Sequence, residues 1–333
     1  MPYRVFMLLA GMLAALSLNP MGSAQAADQV APGLLYDFGG KFDRSFNQAS
    51  YEGAERFKRE TGIAYRDFEV TNESQREQAF TALARRGATL IVAVGFGHQA
   101  ALTAVAKNFP NVKFVIVDAV VDAPNVQSVV FREHEGSFLV GMLAAMASKT
   151  GKVGFVGGMD VPLIRKFEVG YEEGAKYANP KIEVFQTMTG TTPAAWNDPS
   201  RGAELARSQF DRGADVIYAA AGATGLGVLQ AAADAKKLSI GVDSNQNYLH
   251  PGSVLTSMTK RVDLVVYRAM KSAQDGTWKP GTQVLGLTDD AIGYAVDDNN
   301  RALITPEMQA KVDAARAAII AGTLKVTDSM AAK

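Results

Sequence analysis

The chain predicts an α/β fold of two similar lobes, each a parallel sheet flanked by helices, with a ligand cleft between them. Three observations lead there. A unit occurs twice, apolar runs alternate with amphipathic ones, and each copy ends in a strand that stops at an aspartate. The first copy reads Phe46, Gly53-Ala54, Arg86-Gly87-Ala88, then Phe114-Val115-Ile116-Val117-Asp118. The second reads Phe167, Gly174-Ala175, Arg212-Gly213-Ala214, then Ser239-Ile240-Gly241-Val242-Asp243. Phe to Gly-Ala is seven residues in both, and the second Gly to the Asp is 31 in one and 30 in the other. Paired lobes of this kind bring the C-terminal ends of their strands, and so Asp118 and Asp243, to opposite sides of one cleft.

The elements follow in order. Residues 1–27 form an expected signal peptide: Arg4 supplies a positive start, Val5 to Leu18 an apolar stretch, and Ala24-Gln25-Ala26 a small-x-small cleavage site. Gly33 to Phe38 is a short apolar strand. Ser45 is placed to cap a helix running to about Glu60, with Gln48 as its capping-box partner. Ile63 to Val70 reads as a strand, Asn72 to Arg86 as a helix and Thr89 to Val94 as a buried strand ending in the turn Gly95-Phe96-Gly97. His98 to Asn108 is helical, and Lys113 to Val117 and Gln127 to Phe131 are strands. The helix Glu135 to Ser148 leads into the second lobe. There the same alternation recurs: strands from Val153, Ile182, Val216 and Leu238, and helices from Pro162, Pro199 and Gly225. Val254 to Ser257 carries the chain back, followed by helices Val262 to Asp275 and Pro306 to Ala321. Strands alternating with helices at this spacing specify parallel sheets covered on both faces. The expected lobes are 28–133 plus about 257–285, and 134–256 plus part of 286–333.

Composition excludes several functions. The chain has 34 basic and 34 acidic residues and no cysteine. Loss of residues 1–27 removes only Arg4, leaving 33 − 34 = −1. Nucleic acid and anionic membrane surfaces ask for a basic excess, so neither is an expected partner. Without cysteine there is no disulfide, thiolate metal site or lipid-attachment residue, and a free periplasmic, monomeric protein is expected. His98, His134 and His250 have no zinc-binding spacing, no G-x-S-x-G elbow is present, and no metal or cofactor is expected. His98 and His250 read as surface or capping residues. Gly222-Ala223-Thr224-Gly225-Leu226-Gly227 matches neither the dinucleotide fingerprint nor a P-loop. It is a tight turn that either holds a ligand oxygen or simply packs.

Two loop aromatics, Phe42 after the first strand and Trp196 in the second half, either close on a flat ligand or cap apolar patches. Asp118 and Asp243 either cap the next turn or accept from ligand hydroxyl or ring N–H groups. Lys260, where the chain re-crosses, is placed to pair with Asp243 or to bond a ligand oxygen.

Several motifs resemble the basic membrane protein family of ABC-transporter substrate-binding proteins. They are Asp37-x-Gly39-x-x-x-Asp43-x-Ser45-Phe46-Asn47; Asn125-Val126 with Ser128, Phe131 and Glu135-Gly136-Ser137-Phe138-Leu139-x-Gly141; Gly157-Gly158 with Phe167-x-x-Gly170; Gly213-Ala214-Asp215 with Ala221-Gly222; and Ile240-Gly241-Val242-Asp243 with Ser257-x-x-Lys260. The resemblance implies a type I periplasmic-binding-protein fold and a purine nucleoside stacked between two aromatics, Phe42 and Trp196, the latter where the family usually has Phe. It implies that Asn47 and Asp118 read the base edge, with Asp43 beside them in the motif, and that Gly222, Asp243 and Lys260 hold the ribose. It also implies a non-enzymatic receptor that delivers its ligand to an inner-membrane permease. The alternatives are a same-fold receptor for a sugar or free base, and an exported nucleoside-processing enzyme; the latter needs clustered carboxylates or a metal-held water, which the sequence lacks.

Overall fold

The computed structural model describes Met1 and residues 30–331; the expected signal peptide lies outside the described residues. The first lobe opens with β1 (Pro32–Tyr36), α1 (Phe46–Thr61), β2 (Arg66–Glu69), α2 (Gln75–Arg85), β3 (Leu90–Val94), α3 (Gln99–Ala106), β4 (Lys113–Val117) and β5 (Val126–Phe131). The second contains α4 (Glu133–Ala147), β6 (Lys152–Met159), α5 (Pro162–Ala178), β7 (Glu183–Gly190), α6 (Pro199–Asp211), β8 (Val216–Ala220), α7 (Thr224–Asp234), β9 (Leu238–Asp243) and β10 (Val254–Lys260). The chain then returns through α8 (Val262–Gln274) and β11 (Gly281–Leu285) to the first lobe, and ends in the second with β12 (Ile292–Tyr294) and α9 (Pro306–Ile320).

The strand orders are β11-β5-β4-β3-β1-β2 and β12-β10-β9-β8-β6-β7. With β6 to β10 matched to β1 to β5, the two sheets have the same order, and β11 and β12 occupy the same edge. The duplication seen in the sequence is therefore a duplication of topology. All neighbours are parallel except β12, which runs antiparallel to β10. The connections reverse between β1 and β3 and between β6 and β8, which places a switch point at the C-terminal edge of each sheet.

Alternate residues of each central strand face opposite cores. Leu34, Val92 and Val115 join a core that runs on into the second lobe, whereas Leu35, Ile91 and Phe114 pack on the other face. Expected and observed strands differ at the edges. β2 is shorter than Ile63 to Val70 and fully exposed, and the strands Gly281–Leu285 and Ile292–Tyr294 had no apolar pattern to announce them. β10 stays in the second sheet through Lys260, so the crossing falls there and not near residue 257.

Ser45 does not cap α1 with its side chain. Asp43 does so instead, accepting from the N–H groups of Ser45 (2.8 Å), Asn47 (3.0 Å) and Gln48 (3.0 Å). Ser45 is free to point elsewhere, with consequences for the cleft. In the second lobe α4 is buried on nearly every side, and it meets α5 through glycines. A Cβ on Gly174 would stand 1.9 Å from the Phe138 carbonyl oxygen, and one on Gly141 2.1 Å from that of Tyr171. These glycines allow the two backbones to touch. Gly174→Ala is expected to lower stability by about 1–3 kcal/mol despite the better helix propensity of alanine, measured as a lower urea midpoint with unchanged slope.

Candidate functional site

The C-terminal strand ends of both lobes converge on a cleft lined by residues of each lobe, the usual place for a small ligand in folds of this kind. The loops after β1, β3 and β4 contribute from one side. The helix α5, the turn before α6 and the ends of β8, β9 and β10 contribute from the other.

Six of the eight expected residues line this cleft: Asp43, Asp118, Trp196, Gly222, Asp243 and Lys260. Asp118 and Asp243 share more than position. Both adopt left-handed backbone conformations, with φ of 68° and 63°. Such a conformation costs on the order of 1 kcal/mol and suits aspartate better than most residues. The equivalent strand ends thus turn in the same way and aim a carboxylate at the same space.

Their partners differ. Lys260 Nζ donates to Asp118 Oδ2 at 2.7 Å and forms an ion pair with Glu133 Oε1 at 2.9 Å. Lys260 therefore pairs with Asp118 and Glu133 and not with Asp243, one of the two partners expected for it, because β10 delivers it across the crossover to the end of β4. Asp243 instead accepts from Ser45 Oγ at 2.7 Å. Ser244 Oγ donates back to the Ser45 carbonyl at 2.8 Å, and Gln246 Nε2 to that of Arg44 at 3.0 Å. These bonds join the lobes.

Burial dominates the electrostatics. It pushes the Asp43 carboxyl up to about 7 against the pull of three backbone N–H donors. It pushes Asp118 up to about 6, with Lys260 opposing and Glu133 adding to the rise. Asp243 is also raised by burial, opposed by Lys260 and the Ser45 hydroxyl. The three neighbouring carboxylates outweigh the burial of Lys260 and hold its ammonium above its ordinary range, so it is a permanent cation. Asp118 Oδ1 is buried and has no hydrogen-bond partner, so one strong acceptor stands ready for a donor from a ligand.

Two expected residues lie elsewhere. Asn47 is buried one layer back, where its side-chain amide donates to the carbonyls of Asp37, Phe38 and Gly40 and its oxygen accepts from the Asp37 N–H. It shapes the loop after β1 without lining the cleft. Phe42 is 63% exposed and packs edge-on against Tyr51. The turn through Gly39 and Gly40, fastened by the Lys41–Asp67 ion pair, carries it outward.

The aromatics of the first lobe that do line the cleft are Phe38, Phe46 and Phe96, facing Phe167 and Trp196 of the second. Phe46 and Phe167 are the equivalent phenylalanines of the duplicated unit, so their repetition was the signal that could have assigned them. Trp196 stands 6.5 Å from Phe96 between ring centroids, at 65°. Its indole occupies space that a Cβ on Gly158 would enter at 2.1 Å, and Gly222 turns beneath it with φ of 56°. The turn at Gly222 therefore packs on Trp196 as well as facing the cleft.

His98 is fully buried, edge-on to Phe80, and burial holds its imidazole down at about 4. It is not a surface residue; it stands at the N-cap position of α3, but its side chain makes no capping hydrogen bond. Among the described residues, no three His, Cys, Asp or Glu side chains are grouped to hold a metal ion, and no helix is long and apolar enough to cross a membrane.

Comparison with known proteins agrees with this architecture. Residues 33–329 match the Bmp family, described as ABC transporter substrate-binding protein, PnrA-like. The chain is 33% identical over 330 residues, 91% of each chain, to a Lactococcus lactis protein named ABC transporter nucleoside-binding protein BmpA. It is 35% identical over 284 residues, 80% of this chain and 69% of the other, to an uncharacterized lipoprotein of Pyrococcus abyssi. The crystal structure of an ABC transporter solute-binding protein from Aeropyrum pernix K1 superposes with a TM-score of 0.82 at 29% identity, covering 89% of this chain and 92% of that one. The fold is thus the type I periplasmic-binding-protein fold. The lipoprotein name of the Pyrococcus relative gives no support to the expected absence of a lipid anchor. Two lobes of one topology, a cleft at their switch points and a match over nearly the whole described chain lead to one conclusion: the chain belongs to the Bmp family of PnrA-like ABC-transporter substrate-binding proteins, extracytoplasmic proteins that bind a solute and are not enzymes.

Proposed function

We propose that the protein binds a nucleoside, with a purine base, in the cleft between its lobes and delivers it to a membrane permease as a monomeric periplasmic receptor released by cleavage after residue 27. The observation that carries the reading is the pairing of aromatic rings from both lobes with a permanent cation and an unpartnered carboxylate oxygen in one cleft. Rings on both sides suit a flat base, at about 1–3 kcal/mol per stacked ring. Carboxylates beside an ammonium suit ribose hydroxyls, each of which donates and accepts. The Lactococcus relative, named as a nucleoside-binding protein, supports the same ligand class. An excess of carboxylates over ammonium groups disfavours a ligand phosphate.

Titration calorimetry of refolded, ligand-stripped protein with adenosine, guanosine, uridine, ribose and adenine tests the reading. Tight binding of the purine nucleosides with weak binding of ribose and adenine alone is expected; no heat from any nucleoside would sink it, and tight ribose binding would point to a sugar receptor. Trp196→Ala is expected to weaken nucleoside binding by roughly 1–3 kcal/mol, whereas Phe42→Ala, on the outer surface, leaves it unchanged.

The pH profile has a defined sign. Asp118 accepts from a ligand donor at charge-assisted strength only when ionised, and its pKa in the folded protein is raised to about 6. Asp43, raised to about 7, titrates just above it. Affinity is therefore expected to be full at alkaline pH and to fall as pH drops through about 7 to 6, while Lys260 remains charged throughout. An affinity that rises on acidification in the same calorimetric series contradicts the assignment of Asp118 as an acceptor.

A further inference from the structure

Charge continues inward behind the cleft wall. Glu133, the first residue of α4, places Oε1 2.9 Å from Lys260 Nζ and Oε2 3.1 Å from Lys166 Nζ. Lys166, on α5, also donates to the Phe131 carbonyl at 2.6 Å and lies 3.7 Å from Asp328 Oδ2 in the C-terminal segment. Glu133 is 0% and Lys166 6% exposed, and neither lines the cleft. The row Asp118–Lys260–Glu133–Lys166 spans two of the three places where the chain passes between lobes, after β5 and after β10.

An ammonium has three protons on a flexible stem. Here one goes to Asp118 Oδ2 and one faces Glu133. Were Glu133 absent, no second carboxylate among the described residues would lie within ion-pair distance to compete with Asp118 for Nζ, and the ammonium could close on both of its oxygens. In the structure Asp118 Oδ1 instead has no partner. Glu133 is itself fixed from behind by Lys166, so the arrangement has little freedom.

We propose that Glu133, anchored by Lys166, is a positioning residue for ligand recognition: it draws the Lys260 ammonium partly off Asp118, so that one ammonium proton and Asp118 Oδ1 are presented to the ligand as a fixed donor and acceptor. The nucleoside reading supplies the ligand of the test but not the geometry. Asp118 is faced by Lys260 from β10, Glu133 from α4 and Asp243 from β9, and Glu133 by Lys260 and by Lys166 from α5. The neighbouring His134 is held neutral at ordinary pH by burial and by Lys166, its pKa lowered to about 4, and Asp43 sits at the start of α1.

The test follows the Asp118 side-chain carboxyl by carbon NMR across pH in ligand-free wild type and Glu133→Gln, with adenosine affinity measured over the same range. With Glu133 neutral, Lys260 closes on Asp118. The Asp118 midpoint is expected to fall by about one pH unit, and adenosine affinity at pH 8 to fall about tenfold as Oδ1 becomes occupied. Should Glu133→Gln not fold, Glu133→Asp keeps the charge but withdraws it by one methylene, and a smaller shift in the same direction is expected. An Asp118 midpoint that stays in place in a folded variant, with affinity lost equally at every pH, reduces Glu133 to a structural role and overturns the proposal. If wild type binds no nucleoside the ligand reading fails, and the positioning role stands if the Glu133→Gln shift is lost in a Lys260→Met background and falls if it persists there, because Glu133 then acts on Asp118 by its own charge.

Discussion

The interaction on which the rest of the structure depends is the ion pair between Lys260 and Asp118. One partner ends a strand of the second sheet and the other follows a strand of the first, and both are buried. Each charge removed from water loses several kcal/mol of hydration, and the loss is recovered only if opposite charges meet at good geometry. A closed arrangement in which the lobes met out of register would bury both charges unpaired. The pair therefore stabilises this arrangement less by its strength than by the cost of its alternatives, and it does so at the wall of the cleft between the lobes.

The two lobes are copies in topology, but the cleft is not symmetric. Asp118 and Asp243 turn with the same left-handed backbone, yet one faces an ammonium and the other a serine hydroxyl. The difference arises outside the duplicated unit. Lys260 comes from the strand that carries the chain back between lobes, and Ser45 is available because Asp43 has taken over the cap of α1. One carboxylate is thus placed against permanent charge and the other in the seam that closes the lobes. A ligand with unlike ends would meet unlike partners there, as the proposed nucleoside requires.

The aromatic lining depends on what is missing around it as much as on the rings. Trp196 fits because Gly158 has no side chain and Gly222 turns with positive φ beneath it. A large indole at the end of a short 3-10 turn can be held over the cleft only if the neighbouring strand ends leave that volume empty. Phe46 and Phe167 reach the cleft from the first turn of α1 and from α5, on rigid elements, whereas Phe42 sits on a glycine turn whose lysine is fastened to β2.

The sequence by itself determined the duplication, the alternation of strand and helix and the equivalence of Asp118 and Asp243, because each of these is written in spacing and hydrophobic period, which are local; six of the cleft-lining residues were indicated by the family resemblance. It did not determine the edge strands β11 and β12, whose pairing is set by a neighbouring strand and not by their own apolar pattern, and it drew β2 too long. Tertiary structure alone decided that Phe42 points outward and Asn47 backward, that Asp43 and not Ser45 caps α1, and that Lys260 meets Asp118 and Glu133. In each case several polar or aromatic groups of suitable chemistry lie within a few residues of one another. Which of them faces the cleft depends on a turn angle or on a partner about a hundred residues away or more, and neither quantity leaves a periodic trace in the chain.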